Sequence, residues 1–413
     1  MVKEIKVLEI FAGVGGFRVG LENHNPNVFK TLWANQWEPS RKSQDAFEVY
    51  NYRFPESENI NKDIAQITEE EFKDMDADLI VGGFPCQDYS VSNSQYNVLG
   101  IEGKKGVLFW EIVRATEVIR PKALLLENVD RLLKSPTKQR GRDFAVMLAT
   151  FNKLGYTVEW RVINAAEYGG AQRRRRVFMY VQRNDLWDSL RVLPGQHLYK
   201  EGIFAKAFPV EPEVFGSKKK NAITLSEDIK EISDNFEGEF WNSGIMTNGI
   251  VYSSETTPIK EKEQTLGDIY LGWDVPEKYF VTGERLERFQ YLRGAKSVTK
   301  TNKKGHEYHY KEGSISPFDD INLPARTMVT TEGSINRSTH LLHDGKRYRT
   351  LLPIEAERLN GFPDDWTKYK ISSEGKVTEV GDNRRLFFMG NAMVTNIVER
   401  LGGHIIDMLS TDD

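Results

Sequence analysis

The sequence predicts an α/β protein built on a doubly wound sheet, and three observations lead there. Short apolar runs alternate with amphipathic stretches from residue 5 to about 182. Two of the runs, Asp78-Leu79-Ile80-Val81 and Ala123-Leu124-Leu125-Leu126, are continuously apolar, as in parallel strands covered on both faces. Glycine or polar turns follow the runs, on the edge where open α/β sheets gather their chemistry. The alternation lapses over 183–346 and resumes at 347. Three segments are therefore expected: an α/β domain over 1–182, a small inserted domain over 183–346, and a C-terminal return to the first domain over 347–413.

Lys6-Val7-Leu8-Glu9-Ile10-Phe11 reads as the first strand. It runs into Ala12-Gly13-Val14-Gly15-Gly16-Phe17-Arg18, which opens a helix through Leu21. Glycines there let a ligand approach the backbone. The run lacks the ending of a phosphate loop and is not Gly-x-Gly-x-x-Gly, so an ordinary tight turn fits equally well. The second strand, 29–34, ends at Asn35-Gln36-Trp37-Glu38, where such a fold holds a ribose and adenine, although Trp37 also suits a core. A third short segment ends at Asn61-Lys62-Asp63-Ile64.

The fourth strand leads into Gly82-Gly83-Phe84-Pro85-Cys86-Gln87-Asp88-Tyr89-Ser90, which holds the only cysteine of the chain. A lone cysteine is commonly a small core residue. Pro85 and the polar Gln87, Asp88 and Ser90 argue against that here, and 87–106 read as an active-site loop. A helix follows from 106 to about 120. The strand 123–126 ends in Glu127-Asn128-Val129, which puts a carboxylate on the same edge as Cys86; a cap for a helix beginning at Asp130 is the alternative. A helix near 142–154 and a strand at 156–163 precede Gln172-Arg173-Arg174-Arg175-Arg176, which runs into the strand 177–180. Four such arginines present two side chains to each face, as a solvated run or as an anion-binding pair. After the inserted segment, Pro353 starts a helix that Gly361-Phe362-Pro363-Asp364 stops. Met389-Gly390-Asn391-Ala392 then leads into a final amphipathic helix through Ile406.

Across 413 residues, 56 basic and 60 acidic side chains leave a net charge of -4, so any anion-binding surface is local. Lys218-Lys219-Lys220 and the stretch 293–311, with Lys296, Lys300, Lys303, Lys304, Tyr308 and Tyr310, have the composition of a phosphate-contacting surface; a solvated face would look similar. One cysteine excludes an intramolecular disulfide and a multi-cysteine zinc cluster. With no apolar signal core and no spanning segment, a cytoplasmic protein without a membrane partner is expected.

Taken in order, Phe11-Ala12-Gly13-x-Gly15-Gly16-Phe17, Gly83-Phe84-Pro85-Cys86-Gln87, Glu127-Asn128-Val129, Gln172-x-Arg174-x-Arg176, Arg358-Leu359-x-Gly361-Phe362-Pro363 and Gly390-Asn391-Ala392 resemble the DNA (cytosine-5)-methyltransferase family, of the bacterial restriction-modification type. The resemblance implies a Rossmann-like methyltransferase sheet, S-adenosylmethionine as cofactor, double-stranded DNA as partner and 183–346 as target-recognition domain. It implies that Cys86 adds to carbon 6 of a flipped-out cytosine, that Glu127 engages ring nitrogen 3, and that Arg174 and Arg176 complete the catalytic group, Arg174 at the cytosine. By the same resemblance Phe11, Ala12, Gly13, Gly15 and Gly16 lie along the cofactor, with Gln36, Trp37, Asp63, Ile64, Pro85, Leu108, Asn391 and Ala392 around it. Gln87, Ser90, Ser92 and the four lysines Lys296, Lys300, Lys303 and Lys304 are assigned to DNA. One departure is Gln36, where the family has an acidic residue for the ribose hydroxyls; Glu38 is the alternative holder. Another is Met393, where valine is common. A monomer with a cognate restriction endonuclease is expected. A cytosine-5 methyltransferase acting on RNA would share the pocket but carry a shorter variable region. A DNA-binding relative without activity would not need the four catalytic residues.

Overall fold

The structure, a computed structural model, describes residues 3–39, 41–84, 108–186, 193–214, 217, 219–301 and 305–410. Pro85, Cys86, Gln87, Ser90, Ser92, Lys303 and Lys304 lie outside the described residues.

The strands form where the apolar runs stand. They are β1 (Ile5–Ile10), β2 (Phe29–Asn35), β3 (Glu58–Ile60), β4 (Leu79–Gly83), β5 (Ala123–Val129), β6 (Tyr156–Asn164) and β7 (Arg175–Arg183). Three more, β8 (Lys220–Thr224), β9 (Ser243–Thr247) and β10 (Ile250–Ser254), complete one sheet of order β3-β2-β1-β4-β5-β7-β6-β9-β10-β8. β1 to β5 pair in parallel, and β7 runs antiparallel between β5 and β6. The strand order turns around at β1 and β4, the switch point at which a doubly wound sheet opens a crevice.

Helices cover both faces. β5 shows why: Leu124 and Leu126 join one core with Phe109 and Ile112 of the helix Leu108–Ile119 and Phe144 and Met147 of the helix Arg142–Lys153. Ala123 and Leu125 face the opposite core, with Phe17 and Leu21 of α1 (Gly16–His24) and Val398 and Leu401 of the last helix, Thr395–Leu409. α1 and that helix lie very close. A Cβ added to Gly20 would sit 2.6 Å from the Thr395 carbonyl oxygen, and one added to Gly402 would sit 2.7 Å from His24 Cγ.

Part of the segment 183–346 is continuous with this sheet. β9 pairs antiparallel with β6, and β10 and β8 follow. The break in strand–helix alternation at 183 is thus not a break in the sheet. Physically, β9 covers the edge that β6 would otherwise expose. Gly244 makes the pairing fit, because the Trp160 ring lies where its Cβ would be, 2.0 Å from Cζ2.

The rest of the segment, together with the short strand Tyr348–Arg349 just beyond it, forms a lobe: β11 (Phe280–Val281), the helix Gly283–Arg293, a two-stranded ribbon of β12 (Lys296–Thr301) and β13 (Glu307–Glu312), and the short strand Leu342–His343. Its apolar core is small, with Val281, Phe289 and Leu341 fully buried. Buried charge stands beside that core: Asp319 takes Arg293 Nη2 at 2.8 Å and Arg326 Nε at 2.5 Å, and His340 Nδ1 lies 3.1 Å from Glu332 Oε2. Among the described residues no helix is long and apolar enough to cross a membrane.

Candidate active site

The turn after β1 is left-handed at three positions, Phe11 (φ 54), Gly13 (φ 57) and Gly15 (φ 91). A Cβ at Gly15 would meet Phe54 Cε2 at 2.7 Å, so that side is packed, whereas one at Gly13 would meet nothing within 4 Å. The open side is where a ligand can reach the backbone. Gly16 lies under Met393, whose Cγ would be 3.1 Å from an added Cβ. The volume of Met393, in place of valine, is thus used to close the turn.

Gln36 supports the same turn. Its Oε1 accepts the Gly13 amide at 2.7 Å. Glu38 is ion-paired to Arg384 through its Oε2. Gln36 is thus an amide engaged through its oxygen and Glu38 a carboxylate paired through one oxygen, while the Nε2 end of Gln36 makes no bond among the described residues. Trp37 is 38 % exposed and so is not a core aromatic. Asp63 accepts the Ala65 amide at 3.0 Å and caps the turn that follows, while Ile64 is buried in the core. Leu108 opens the helix Leu108–Ile119, and Asn391 ends the helix Asp382–Asn391 ahead of the half-buried Ala392.

Glu127 stands at the carboxyl end of β5, opposite Gly83 of β4. A Cβ on Gly83 would come within 3.0 Å of Glu127 Oε2, so glycine there leaves room for the carboxylate. Arg176 Nε meets Glu127 Oε1 at 2.8 Å. The pair is diagonal on one face of the β5–β7 ladder, since Arg176 lies opposite Val129. Burial pushes the Glu127 carboxyl up, while the Arg176 and Arg174 charges pull it down. Asn128, on the other face, donates its Nδ2 to the Phe84 carbonyl at 2.9 Å and fixes the residue just before Pro85.

The arginine run divides as its alternation requires: Arg173 and Arg175 are exposed, and Arg174 and Arg176 turn inward. Their partners differ. Arg174 Nη1 donates to the Met328 carbonyl at 3.0 Å, and its Nη2 to those of Gly390 at 3.0 Å and Asn391 at 3.4 Å. Burial lowers its pKa to about 9, with Arg176 adding to the effect. Arg174 joins three parts of the chain, and Arg176 is the arginine on the carboxylate. Gln172 works similarly, accepting the Met328 amide at 2.8 Å and donating to the Leu359 carbonyl at 3.2 Å. Of the described lysines assigned to DNA, Lys296 donates to the Leu292 carbonyl at 3.1 Å with Glu312 3.7 Å away, and Lys300 lies 3.7 Å over the Tyr310 ring.

Sequence reasoning missed Glu9. It is fully buried beneath the glycine turn, accepts the Phe17 amide at 3.2 Å and the Tyr50 hydroxyl at 2.9 Å, and burial raises its pKa to about 7. An acidic residue set between the apolar Leu8 and Ile10 was the available signal.

A profile described as C-5 cytosine-specific DNA methylase matches residues 5–407. The chain belongs to this family. The methylase is 52% identical over 417 residues to the Type II methyltransferase M.Sau3AI of Staphylococcus aureus, covering 100% of this chain and 98% of the relative. It is 31% identical to M.NgoBV of Neisseria gonorrhoeae, covering 99% of this chain and 100% of that one. In fold it resembles the crystal structure of S. pombe Dnmt2 methyltransferase, with a TM-score of 0.60 at 14% identity over 98% of this chain and 99% of the other. The methylase transfers a methyl group from a donor to carbon 5 of cytosine in DNA.

Proposed function

We propose that the methylase uses S-adenosylmethionine to methylate a cytosine flipped out of a specific word in duplex DNA, through a covalent adduct of Cys86. The single observation that supports this most is Glu127. A shielded carboxyl with a raised pKa, oriented by Arg176, stands beside the strand that leads to Cys86. Carbon 5 of cytosine is a poor nucleophile. A thiolate adding to carbon 6 turns the ring into an enamine, and the electron pair that moves toward nitrogen 3 is met by the Glu127 proton. When bound, the donor supplies an electrophilic methyl group to carbon 5. Transfer of the carbon 5 proton to water then expels the Cys86 thiolate, and return of the nitrogen 3 proton to Glu127 restores the neutral aromatic ring. The open side of the Gly13 turn fits a cofactor that approaches backbone, and Trp37, Asn391 and Ala392 are assigned to its surroundings.

Flipping costs a few kcal/mol, and Gln87, Ser90 and Ser92 are assigned to the strand that gives up the base. Recognition is assigned to the part of 183–346 beyond the sheet. The Type II names of the relatives support a restriction-modification setting; a bacterial cytoplasm, a cognate endonuclease and a monomeric methylase are part of the same proposal. The family is one of DNA methylases, which favours duplex DNA over RNA.

Bisulfite sequencing of plasmid from cells expressing the chain should show one methylated word. Cys86→Ser should remove the signal, because a hydroxyl is a far weaker nucleophile. DNA with 5-fluorocytosine at the target should form a gel-stable adduct with the wild type and none with the serine variant. An adduct with the serine variant would assign the bond to another residue.

A further inference from the structure

We propose that one face of the β12–β13 ribbon, made of Ser297, Thr299, Thr301, Glu307, His309 and Lys311, reads base edges in the major groove of the target duplex. The proposal rests on the DNA-methylating reading above and goes beyond it by separating the residues that read sequence from the lysines beside them.

The antiparallel register divides the ribbon. Lys296, Val298 and Lys300 pair with Glu312, Tyr310 and Tyr308 on one face; Ser297, Thr299 and Thr301 pair with Lys311, His309 and Glu307 on the other. The first face is already occupied at its base. Lys296 is held by Leu292, Glu312 and the ring of Tyr291, Arg337 lies 3.3 Å from Glu312, and Lys300 rests on Tyr310. All six residues of the second face are exposed, and none has an apolar side chain. Among the described residues its one internal link is Thr299 Oγ1 to His309 Nδ1 at 3.2 Å.

A lone two-stranded ribbon is marginal in water, and burial supplies nothing on that face. A row of six hydrogen-bonding side chains is what a groove requires. The major groove is about 12 Å wide and admits a two-stranded ribbon. There lysine can donate to guanine, a carboxylate can accept from the cytosine amino group, and threonine offers both a hydroxyl and a methyl for thymine.

The attachment of the lobe also fits. Residues 325–328 lie against 171–174: the Ala325 amide donates to the Ala171 carbonyl and the Arg173 amide to the Ala325 carbonyl, each at 2.8 Å, and Thr327 donates to the Arg173 carbonyl at 2.6 Å. The lobe that carries the ribbon is therefore fixed to the strand that supplies Arg176.

The test compares the two faces in full-length protein, with methylation rates on the wild-type word and on words differing by one base pair. Thr299→Val with His309→Ala, and separately Lys311→Gln, should narrow the ratio of correct to altered word by about ten-fold or more at particular positions, the effect of one lost base contact. Lys300→Ala should weaken binding to all words alike and reduce its salt dependence. These side chains are exposed, so thermal unfolding should match the wild type, and two independent second-face variants keep the comparison available if one is unstable. Unchanged discrimination in both, or an even loss across all words, would overturn the proposal. A wild type that methylates nothing would instead overturn the reading on which it rests.

Discussion

At the residue scale, the chemistry depends on how buried carboxylates hold protons. Glu127 is pushed up by burial and pulled down by two arginines. Glu127→Gln should keep a hydrogen bond to the ring but remove the proton, lowering kcat by about 10² to 10⁴-fold with little change in DNA binding. Arg176→Met removes a charge that favours the ionised form. Any alkaline limb of the rate profile that belongs to Glu127 should then move to higher pH, even as the overall rate falls. Glu9 allows a test with no catalytic readout. Its folded pKa, about 7, lies above the ordinary carboxylate value, so the folded state binds the extra proton. Stability from this group is fully present below about pH 4.5 and is lost as pH rises toward 7. The loss is on the order of 3 kcal/mol at most, from the shift at about 1.4 kcal/mol per unit. Glu9→Gln cannot ionise, so the difference in unfolding free energy between variant and wild type should grow in the variant's favour across that window. A constant difference between pH 4.5 and 7 would show that Glu9 does not titrate there.

At the element scale, close approaches decide more than propensities do. Gly20 on α1 faces the Thr395 carbonyl and Val398 Cβ, the latter at 2.7 Å from an added Cβ. Neither can move aside without shifting the last helix. Alanine at Gly20 should gain helix propensity of about 1 kcal/mol and lose more to overpacking, for a net loss of about 1–2 kcal/mol in denaturant unfolding. Gly403→Ala is the control, because its Cβ would meet only the tip of His24 at 3.1 Å, and that ring can turn; it should be neutral or stabilising. The same distinction explains what the sequence made legible. β4 and β5 have continuous apolar runs, because both faces are covered. β8 to β10 do not, since Ser243, Gly244, Ser253 and Ser254 fit beneath neighbouring side chains rather than form an apolar stripe. The β12–β13 ribbon has no buried face from which a period could be read. The helix Asp382–Asn391 was missed for a related reason: its polar first turn hides the buried Leu386, Phe388 and Met389.

At the scale of the whole molecule, motif spacing groups side chains without telling what each of them holds. Spacing placed Gln172, Arg174 and Arg176 together, yet only tertiary contacts separate an arginine on a carboxylate from one on backbone carbonyls. Arg174 closes a joint between the start of β7, the returning lobe at Met328 and the Gly390-Asn391 turn, and Gln172 adds Leu359. The packing at that joint is tight. A Cβ on Gly390 would come within 2.4 Å of the Thr330 amide nitrogen. Arg174→Met would leave three carbonyls without their charged donor, at about 1–3 kcal/mol for each buried group left unsatisfied. It should therefore lower the unfolding free energy by several kcal/mol and loosen the lobe, seen as faster amide exchange over 325–332. Activity should fall as a consequence. Arg176→Met should behave in the opposite way. Its partner is Glu127, which can take up a proton when the guanidinium is removed, so stability should change little while turnover falls. Measuring unfolding and kcat for both variants separates the two roles. If Arg174→Met is as stable as the wild type and inactive, Arg174 acts on the base itself, as the family resemblance implied. If both variants are destabilised equally, the two arginines form one structural unit, and the division drawn from their hydrogen bonds fails.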